Sequence, residues 1–599
     1  MEKERHPPGL IALFTTEMWE RFGFYLMLGL LYLYLTDTER GGMGWTGAQA
    51  SALYGSYMAL VYFTPFIGGL IADRLLGCRK TIVIGAVLMM AGYFCLAFSG
   101  KVMLFVALGL IILGNGAFKP NISTLLGNLY PPGSKLRDAG YNIFYMGINI
   151  GAFICNFVAA LVRNHFDRNP LPITSTWTLI GWHAAFATAG IGMFIGLVIF
   201  LFNYRGLAKA DPDPHTRTGP RESLRPLWLA CLLPAVLAGG LAWCLTDPNI
   251  VKWVSTKVFG KDEPLYKSPL DPVTAAFFAA CLPVVFFYLL IWRKVPDRED
   301  RGRVGALLTI FGVVIVFWSV FGLNGTALTE WTRDNTNREP GPVVGAITQR
   351  LEGFAEDASP SYFKNADPDV PRPPRDTFEV VSDGRYKELK EANKLKKGGK
   401  LVVSEKIFNE VYQRATPETP VLSSGEPLKL INPEVYQSIN PAFVVLFTPL
   451  VVGFWHFLRL RGWEPSTAGK IGVGLLLTAL GPLVMLGATY VTKDGAMKAS
   501  AAWLFGTYAM TTLGELCLSP MGLSLVNKTS PANIRAFMMG GWFLSTSIGN
   551  KLSGVFGELY QTMPHNVFWP VLAGSAAFFA CVIFVLLPWL NRQMTEQQG

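Results

Sequence analysis

The sequence predicts an all-α membrane protein with about fourteen transmembrane helices. Of the 599 residues, 51% are hydrophobic and only 16% are charged, a balance far from that of soluble proteins. The apolar residues are concentrated in runs of about 20, the length that a helix needs to cross a bilayer. Lys and Arg are concentrated in alternate loops between these runs, as is typical of multispanning proteins.

The predicted spans follow one another with short polar loops between them. They cover 8–36, 48–76, 79–99, 102–128, 138–164, 179–203, 222–245, 270–294, 301–329, 438–460, 468–491, 497–526, 533–560 and 567–591. The basic loops all fall on one side, which places both termini in the cytoplasm. No signal peptide is recognised, so the first helix is expected to stay in the mature protein.

The net charge and the cysteines exclude several function classes. The net charge of +10 comes from the orienting loops, so it does not indicate a nucleic-acid partner. Seven of the eight cysteines lie in apolar runs, and none shows the spacing of a metal motif, so neither disulfides nor zinc are expected. No cofactor is predicted. No GxxxxGK[ST] phosphate-binding sequence is present, so ATP is not expected to drive the protein.

A charged cluster lies inside the first apolar run. At helical periodicity Glu17, Glu20, Arg21 and Tyr25 lie on one face of the helix. Ionised side chains at membrane depth are costly unless they are paired or face water, so they normally mark a pathway or a proton relay. The alternative is a buried ion cluster that only holds helices together.

The stretch EMWERFGFY, residues 17–25, resembles the ExxERFxYY motif of the proton-dependent oligopeptide transporters. That family, POT or PTR, is a branch of the major facilitator superfamily. Phe24 stands where the family usually has the first of two tyrosines. The resemblance implies two six-helix halves with a substrate site between them at mid-membrane. Bacterial members carry two added helices between the halves, which agrees with a division of the fourteen spans into six, two and six.

The spans and the resemblance predict four regions. Residues 1–203 are the N-terminal six-helix bundle, 204–300 a linker with two extra helices, and 301–329 with 438–599 the C-terminal bundle. The polar segment 330–437 has no run that could span, so it is expected on the periplasmic or extracellular side. Stretches such as TFEVV, KLVV and SEKIFNEVYQRA indicate strands and a helix. This insert is therefore either a small folded cap or a disordered segment.

The loop after the second span, GGLIADRLLGCRK at 68–80, resembles a loop signature of the superfamily. The resemblance implies that Asp73, Arg74 and Arg79 brace the cytoplasmic face and contribute to gating. Tyr62, upstream on the same helix, matches a family tyrosine that faces the cavity. An ordinary packed aromatic is the alternative for Tyr62.

Lys119 lies midway along the fourth span, in GNGAFKPNIS. A lone lysine in hydrocarbon needs a partner or water, and Pro120 bends the helix and exposes polar backbone groups to a cavity. Snorkelling to the interface is the alternative. The family has the same KPN sequence, so Lys119 resembles its substrate-site lysine. In the fifth span FYMGINIG resembles the family's FYxxINxG and makes Asn149 a candidate peptide contact, with interhelical hydrogen bonding as the alternative.

The seventh span contains FWSVFGLNG, which resembles the family's FWxxFxQxG. The resemblance implies that Trp318 is an aromatic of the pocket, although Leu323 replaces the glutamine. Leu28 and Gly322 stand where family members often carry an arginine and an acidic residue. We therefore expect a salt bridge at the outer gate to be missing.

The second half supplies a carboxylate. Glu515 lies mid-span in LGELCLSP, with Ser519 one turn along on the same face. Opposite Lys119, Glu515 would ionise and form a pair across the cavity. Asn440 in SINPAF is a further polar contact. Trp542 in GGWFLSTSIGN completes the family's set, with a packing or lipid-facing aromatic as the alternative.

These residues predict a proton-coupled symporter that imports di- and tripeptides by alternating access. A zwitterionic peptide needs cations for its carboxylate, an acid for its ammonium and amides for its backbone. The substrate-binding residues are predicted to be Arg21, Tyr25, Tyr62, Lys119, Asn149, Trp318, Asn440, Glu515, Ser519 and Trp542. Proton coupling is assigned to Glu17, Glu20, Arg21, Lys119 and Glu515.

Two other functions remain open. Plant relatives of the family carry nitrate or other small anions, so the same fold with another cargo is one. A membrane-embedded enzyme with the insert as its catalytic domain is the other, although the insert lacks His and Cys. The expected partners are small peptides, protons and the lipid bilayer. The protein is expected to work as a monomer in the inner membrane of the cell.

Overall fold

Long helices form from the predicted apolar runs. The computed structural model describes residues 5–131, 134, 136–174, 178–211, 228–259, 263, 266, 268, 271–340, 352–363, 373–391, 394, 396–412, 428–493, 497–531 and 534–594. Within these ranges a few side chains are not described, among them those of Asp73, Arg74 and Ser519.

Six helices make up the first half. They are α1 (Gly9–Thr36), α2 (Gly47–Ile71, continued by a π-helical turn over Ala72–Leu76), α3 (Cys78–Cys95), α4 (Lys101–Asn128), α5 (Arg137–Arg168) and α6 (Gly181–Asn203). A short antiparallel pair, β1 (Leu171–Pro172) and β2 (Thr178–Leu179), joins α5 to α6. Thr46 begins α2 with a reciprocal capping box to Gln49, which satisfies two backbone donors that a helix leaves unpaired.

In the described part of the linker, three helices follow before the second half. They are α7 (Leu233–Thr246, preceded by a π-helical turn over Trp228–Leu232), α8 (Pro248–Phe259) and α9 (Pro272–Lys294). Phe63 and Phe66 of α2 share a hydrophobic cluster with α7, α9 and residues around Leu544. The Tyr288 hydroxyl of α9 donates to the Phe537 carbonyl at 2.7 Å. The two predicted extra spans, α7 and α9, therefore pack beside the place where the two halves meet.

The remaining helices are α10 (Arg298–Phe321), α11 (Ala327–Asn335), α12 (Asp383–Glu391), α13 (Glu405–Tyr412), α14 (Ile439–Leu460), α15 (Thr467–Val491), α16 (Ala502–Thr529), α17 (Arg535–Tyr560) and α18 (His565–Met594). The predicted seventh span is not continuous, because a 3₁₀ turn over Gly322–Gly325 separates α10 from α11. These glycines allow a close approach: a Cβ on Gly325 would collide with the Tyr54 ring, and one on Gly322 with Ser553.

The helices confirm the predicted membrane fold. The described part of each predicted span lies largely in helix, with the seventh span broken near its end, and residues 222–227 of the span 222–245 lie outside the described residues. Within the described chain, nine helices are long and apolar enough to cross a bilayer by length and composition. One hydrophobic core is built by α1–α6, and two further clusters hold α10, α11 and α14–α18 together.

The two halves meet along α2 and α17. Gly55 and Gly554 face each other there, and a Cβ on either would collide with the backbone of the other. Small residues at such a crossing let helix backbones approach closely within a membrane. We call the end of the bundle where α1 begins and α18 ends the termini end, and the opposite end the insert end.

The insert is a folded cap in its described part. β3 (Ala355–Asp357) pairs antiparallel with β7 (Lys429–Ile431), and β6 (Lys400–Ser404) lies between parallel β4 (Phe378–Val381) and antiparallel β5 (Lys396–Lys397). The predicted strands in TFEVV and KLVV and the predicted helix, here α13, are confirmed. Phe378, Val403 and Phe408 form a small core between them.

Candidate functional site

The charged cluster of α1 is buried in the first half. Glu17, Glu20 and Arg21 are each at most 3% exposed. The Arg21 guanidinium donates to both carboxylate oxygens of Glu20, with Nη2 2.6 Å from Oε1. Its Nε lies 3.3 Å from Oε1 of Glu17. One arginine thus contacts two carboxylates, and its contact with Glu17, four residues earlier, is the one that helical spacing predicts.

Two neighbours of Arg21 hold the cluster in place. The Asn115 side chain in α4 accepts a hydrogen bond from Arg21 Nη2 at 3.3 Å and donates to the Val61 carbonyl of α2 at 3.0 Å. Asn115 therefore links α1, α4 and α2. The Phe24 ring lies under the guanidinium, 4.7 Å from the ring centroid. Phe24, although it differs from the tyrosine of the family motif, thus still presents an aromatic face to Arg21.

Lys119 lies against an aromatic ring rather than a carboxylate. Its ammonium is 4.3 Å from the centroid of the Tyr62 ring, and the Tyr62 ring lies 6.2 Å from that of Trp318 in α10. No ion pair or hydrogen bond of Lys119 Nζ is present among the residues that the structure describes. The contacts from Lys119 to Tyr62 to Trp318 thus run from the first half to the second.

Glu515 of α16 is held by α14. The Asn440 amide donates to Glu515 Oε2 at 3.1 Å and to the Thr512 hydroxyl at 2.9 Å. Within the described part of the chain no ion pair joins Glu515 to Lys119. The predicted pair is not formed in this conformation, in which Glu515 accepts a hydrogen bond from a carboxamide on the neighbouring helix.

Two tyrosines lie between the charged groups of the two halves. The phenol groups of Tyr25 and Tyr62 are within electrostatic range of both Arg21 and Glu515. Tyr25 also lies edge-on to Phe24, with 5.5 Å between the ring centroids. Tyr25 and Tyr62 of the first half therefore lie near Arg21 of their own half and near Glu515 of the other.

Two other predicted contact residues, Asn149 and Trp542, make contacts within their own half of the protein. The Asn149 amide donates to the Tyr145 carbonyl of its own helix at 3.0 Å, so this bond joins no other helix. Trp542 is 3% exposed and packs against Phe311 within the core of the second half, as its packing alternative predicts. Ser519 lies outside the described side chains.

The predicted gating residues lie at the termini end. Arg79 Nε lies 3.4 Å from Asp211, and Arg79 Nη1 donates to the Tyr204 carbonyl at 2.9 Å. The Asp211 carboxylate also accepts the backbone N–H groups of Cys78 and Arg79, each at 2.9 Å. Arg79 thus braces α3 against the segment after α6. Asp73 and Arg74 lie in the π-helical turn, and their side chains are outside the described part of the chain.

Polar contacts close the insert end between the halves. The Tyr32 hydroxyl of α1 contacts Glu330 of α11, and Arg333 Nη1 of α11 donates to the Thr36 hydroxyl at 2.5 Å. Leu28 and Gly322 form no salt bridge, as predicted, and other residues supply the polar contacts between the halves at this end. Residues one to three turns further along the chain supply the contacts.

Sequence reasoning missed three polar residues that join or brace elements. Lys551 of α17 is fully buried, and its Nζ donates to the Ser56 hydroxyl of α2 at 2.8 Å. The rule that selected Lys119, a lysine within an apolar run, also applies to Lys551. Asp211 and Arg163 carry no such signal, because each is at the end of a helix or in a loop and finds its partners far along the chain.

A comparison with models of protein families shows which family the chain resembles. A model described as the POT family matches residues 79–344 and 428–570. The chain belongs to the POT family. The stretch between the two matched ranges falls within the insert.

Curated POT relatives are similar along nearly the whole chain. The peptide transporter YePEPT of Yersinia enterocolitica subsp. palearctica serotype O:3 is 28% identical over 99% of this chain and 96% of its own length. The di-/tripeptide transporter of Lactococcus lactis subsp. lactis is 28% identical over 94% of this chain and 92% of its own. A solved structure of a mutant peptide transporter POT with alafosfalin matches with TM-score 0.68 at 26% identity, covering 99% of this chain and 96% of that one.

These similarities confirm the predicted fold and class. The chain has the major facilitator fold of POT transporters and is a multi-pass membrane protein. POT family members are transporters, so the alternative of a membrane-embedded enzyme is excluded.

Proposed function

We propose that the protein is a proton-coupled symporter that imports di- and tripeptides by alternating access. The observation that carries the proposal is the position of the buried Arg21 cluster, which lies across Tyr25 and Tyr62 from Glu515 of the other half. Opposite charges at mid-membrane between two halves are the arrangement expected of a transporter site. The two bacterial relatives named as peptide and di-/tripeptide transporters support this cargo.

The termini of a peptide match the charges of the proposed site. Lys119 has no ion-pair partner among the described residues, so its ammonium is free to bind the peptide carboxylate, beside Arg21. Glu515 would bind the peptide ammonium. Asn440 and Asn149 would contact backbone amides, with Tyr25, Tyr62 and Trp318 as walls. Recognition of both termini and the backbone leaves the side chains of the peptide largely unselected.

We propose that the α1 cluster couples proton and peptide. Glu17, Glu20, Arg21 and Lys119 together carry two negative and two positive charges. Both oxygens of Glu20 are bound by Arg21, whereas Oε2 of Glu17 is buried and has no hydrogen-bond partner among the described residues. Glu17 is therefore the carboxylate that takes a proton at the lowest cost in broken contacts. Its neutralisation leaves the positive charge of Lys119 and Arg21 unbalanced, which favours binding of a peptide carboxylate.

The same proposal includes the organisation of the chain in the membrane. Residues 1–203, and 301–329 with 438–599, are the two moving bundles, 204–300 is the linker with the extra helices, and 330–437 is the insert. The protein works as a monomer in the inner membrane with both termini in the cytoplasm. The conformation described is closed at the insert end, since the hydrogen bonds between the halves lie from mid-membrane to that end among the described residues.

Uptake into proteoliposomes tests the function. We expect an inward proton gradient to drive accumulation of labelled dialanine, and an excess of unlabelled di- or tripeptide to compete with it. Protein-free liposomes and an added protonophore are the controls. Absence of any peptide uptake under the gradient would contradict the proposal.

A small anion is the second candidate cargo. It is favoured by one observation: two cations, Arg21 and Lys119, lie near each other and only Arg21 contacts carboxylates. Uptake of labelled nitrate that dialanine does not inhibit would establish this cargo instead.

A further inference from the structure

The insert is docked onto the first half of the bundle. The Asn164 amide near the end of α5 donates to the Gly353 carbonyl at 2.6 Å, and Arg168 Nη2 donates to the Ala355 carbonyl at 3.1 Å. In the loop between α1 and α2, Glu39 Oε1 accepts the backbone N–H of Ser361 at 3.1 Å. Two separate elements of the first half thus hold the cap.

The same cap is continuous with the second half. The Asn337 N–H, just after α11, donates to the Ala499 carbonyl before α16 at 2.7 Å. The Ile431 N–H at the end of β7 donates to the Arg338 carbonyl at 2.9 Å. Glu434 follows in the 3₁₀ turn that leads directly into α14. Any separation of the halves at the insert end must therefore break contacts of the cap on one side.

A buried ionic network connects the two attachments. Arg163 of α5 contacts Glu356 at 2.7 Å through Nη2 and lies 2.9 Å from Glu434 through Nε. Arg338 Nη1 contacts Glu356 at 2.8 Å, and Arg40 contacts the same carboxylate. Arg163 and Arg338 are 2% exposed and Glu434 is fully buried.

Glu356, which contacts three arginines of this network, remains ionised over a wide pH range. Burial raises the pKa of Glu356, but Arg40, Arg163 and Arg338 outweigh this effect and hold the pKa of Glu356 well below its ordinary value. Breaking a buried ion pair by removing one partner is costly, because it leaves an uncompensated charge. These bonds therefore oppose the separation of α5 from the cap and from α14.

We propose that the insert is a lock that keeps the insert end closed. The contacts of Arg163 with Glu356 and Glu434 must break before this end opens. This proposal rests on the proposed alternating access. It gives the insert the task that a pair at Leu28 and Gly322 would perform, because both positions are without charge in this chain. Loss of the lock is expected to favour the conformation that is open at the insert end.

Cysteine labelling in nanodiscs tests the lock on the full-length protein. Ser438 is 2% exposed, and its hydroxyl donates to the Phe153 carbonyl of α5 at 2.9 Å. S438C therefore places a thiol that reacts with a polar maleimide only when the halves part. The labelling rate, followed by intact mass spectrometry against the background of the eight native cysteines, is compared with and without E356Q/E434Q. We expect the double substitution to raise the rate at least about fivefold, since it weakens several charge-assisted bonds.

Matched controls make the result interpretable. E388Q removes an exposed acid of the insert that pairs only with Arg385, at 2.6 Å, among its described contacts, so the labelling rate should stay within twofold of S438C alone. R163K, which keeps the charge but loses the two-pronged grip, should reproduce the effect of E356Q/E434Q. Labelling as slow as in S438C alone overturns the proposal. So does loss of the folded protein in both network variants, because the cluster would then be structural.

The readout needs no substrate, so the two proposals fail separately. Unchanged labelling together with normal peptide uptake overturns the lock alone. Faster labelling in a protein that takes up no peptide supports the lock and overturns the proposed cargo.

Discussion

Lys119→Ala should weaken substrate binding strongly and change the stability of the protein only slightly. The structure gives the ammonium one described contact, the Tyr62 ring at 4.3 Å, worth about 0.5–2 kcal/mol. Removing this half-buried cation relieves its repulsion from Arg21 and also removes its attraction to Glu20 and Glu17, two effects of opposite sign that largely cancel. We therefore expect the melting temperature to change by less than about 2 °C, because about 1–2 kcal/mol shifts the midpoint by only about 1–2 °C in a chain of this size.

Peptide binding should respond far more strongly to Lys119→Ala. A charge-assisted hydrogen bond from Lys119 to the peptide carboxylate is worth about 1.5–3 kcal/mol, so dialanine affinity should fall about 10- to 150-fold. Proton-driven uptake should be abolished at substrate concentrations that saturate the wild type. Isothermal titration and proteoliposome uptake measure the two effects.

Lys470→Ala is the matched control for a buried lysine. Lys470 is 6% exposed and pairs with Glu464 at 2.6 Å, remote from Lys119 in the sequence and in another helix. Its removal should lower the melting temperature and leave uptake near normal. The reasoning is refuted if Lys119→Ala keeps normal accumulation, or if its loss of uptake is matched by a loss of folded protein.

Three further substitutions follow from the contacts. Glu515→Ala should abolish gradient-driven uptake, whereas Asn440→Ala, which removes only the donor to that carboxylate, should lower uptake about tenfold; equal, near-normal rates would refute both. Phe24→Leu should lower the stability by about 0.5–2 kcal/mol through loss of the ring under Arg21, and Phe24→Tyr should not; thermal unfolding distinguishes them. Asp211→Asn should cost about 1–3 kcal/mol in the same assay, and an unchanged midpoint would contradict the brace assigned to it.

The Glu356 contacts of the lock should withstand mild acid. The depressed pKa of Glu356 means that its contribution is complete above the ordinary glutamate pKa of about 4.3 and is lost only as the pH falls through the lower folded-state value. Burial raises the pKa of Glu434, so its contact with Arg163 weakens earlier as the pH falls, and E434Q removes this contribution. The labelling rate of S438C/E434Q, corrected for the intrinsic pH dependence of the thiol, should therefore be constant between pH 8 and pH 5. A steep rise within that interval would contradict the assignment.

The helices were predictable because hydrophobic runs of membrane length are local features of the sequence. The break between α10 and α11 was not, since it depends on Gly322 and Gly325 meeting Ser553 and Tyr54, which lie far away in the chain. The strands of the insert were predictable from β-branched alternation. Their docking on α5 was not, because periodicity says nothing about partners.

Some features of the candidate site could likewise be predicted from the sequence and others could not. Glu17, Glu20 and Arg21 were predicted correctly as one cluster, because spacings of three and four residues from Glu17 place all three side chains on one face of the helix. Whether Lys119 pairs with Glu515 depends on how the two halves are placed in a given conformation, which the sequence does not show. In this conformation Glu515 accepts a hydrogen bond from Asn440. Asn115, which joins Arg21 to α2, had no signal beyond being polar within an apolar run.

The coupling of peptide to proton is tested most directly by the pH inside sealed proteoliposomes. With the membrane potential clamped at zero and no initial pH gradient, addition of dialanine outside should acidify the lumen, as peptide and proton enter together. The same addition should leave the pH unchanged in liposomes carrying Lys119→Ala. Peptide entry without acidification, or acidification driven equally by nitrate, would contradict the account.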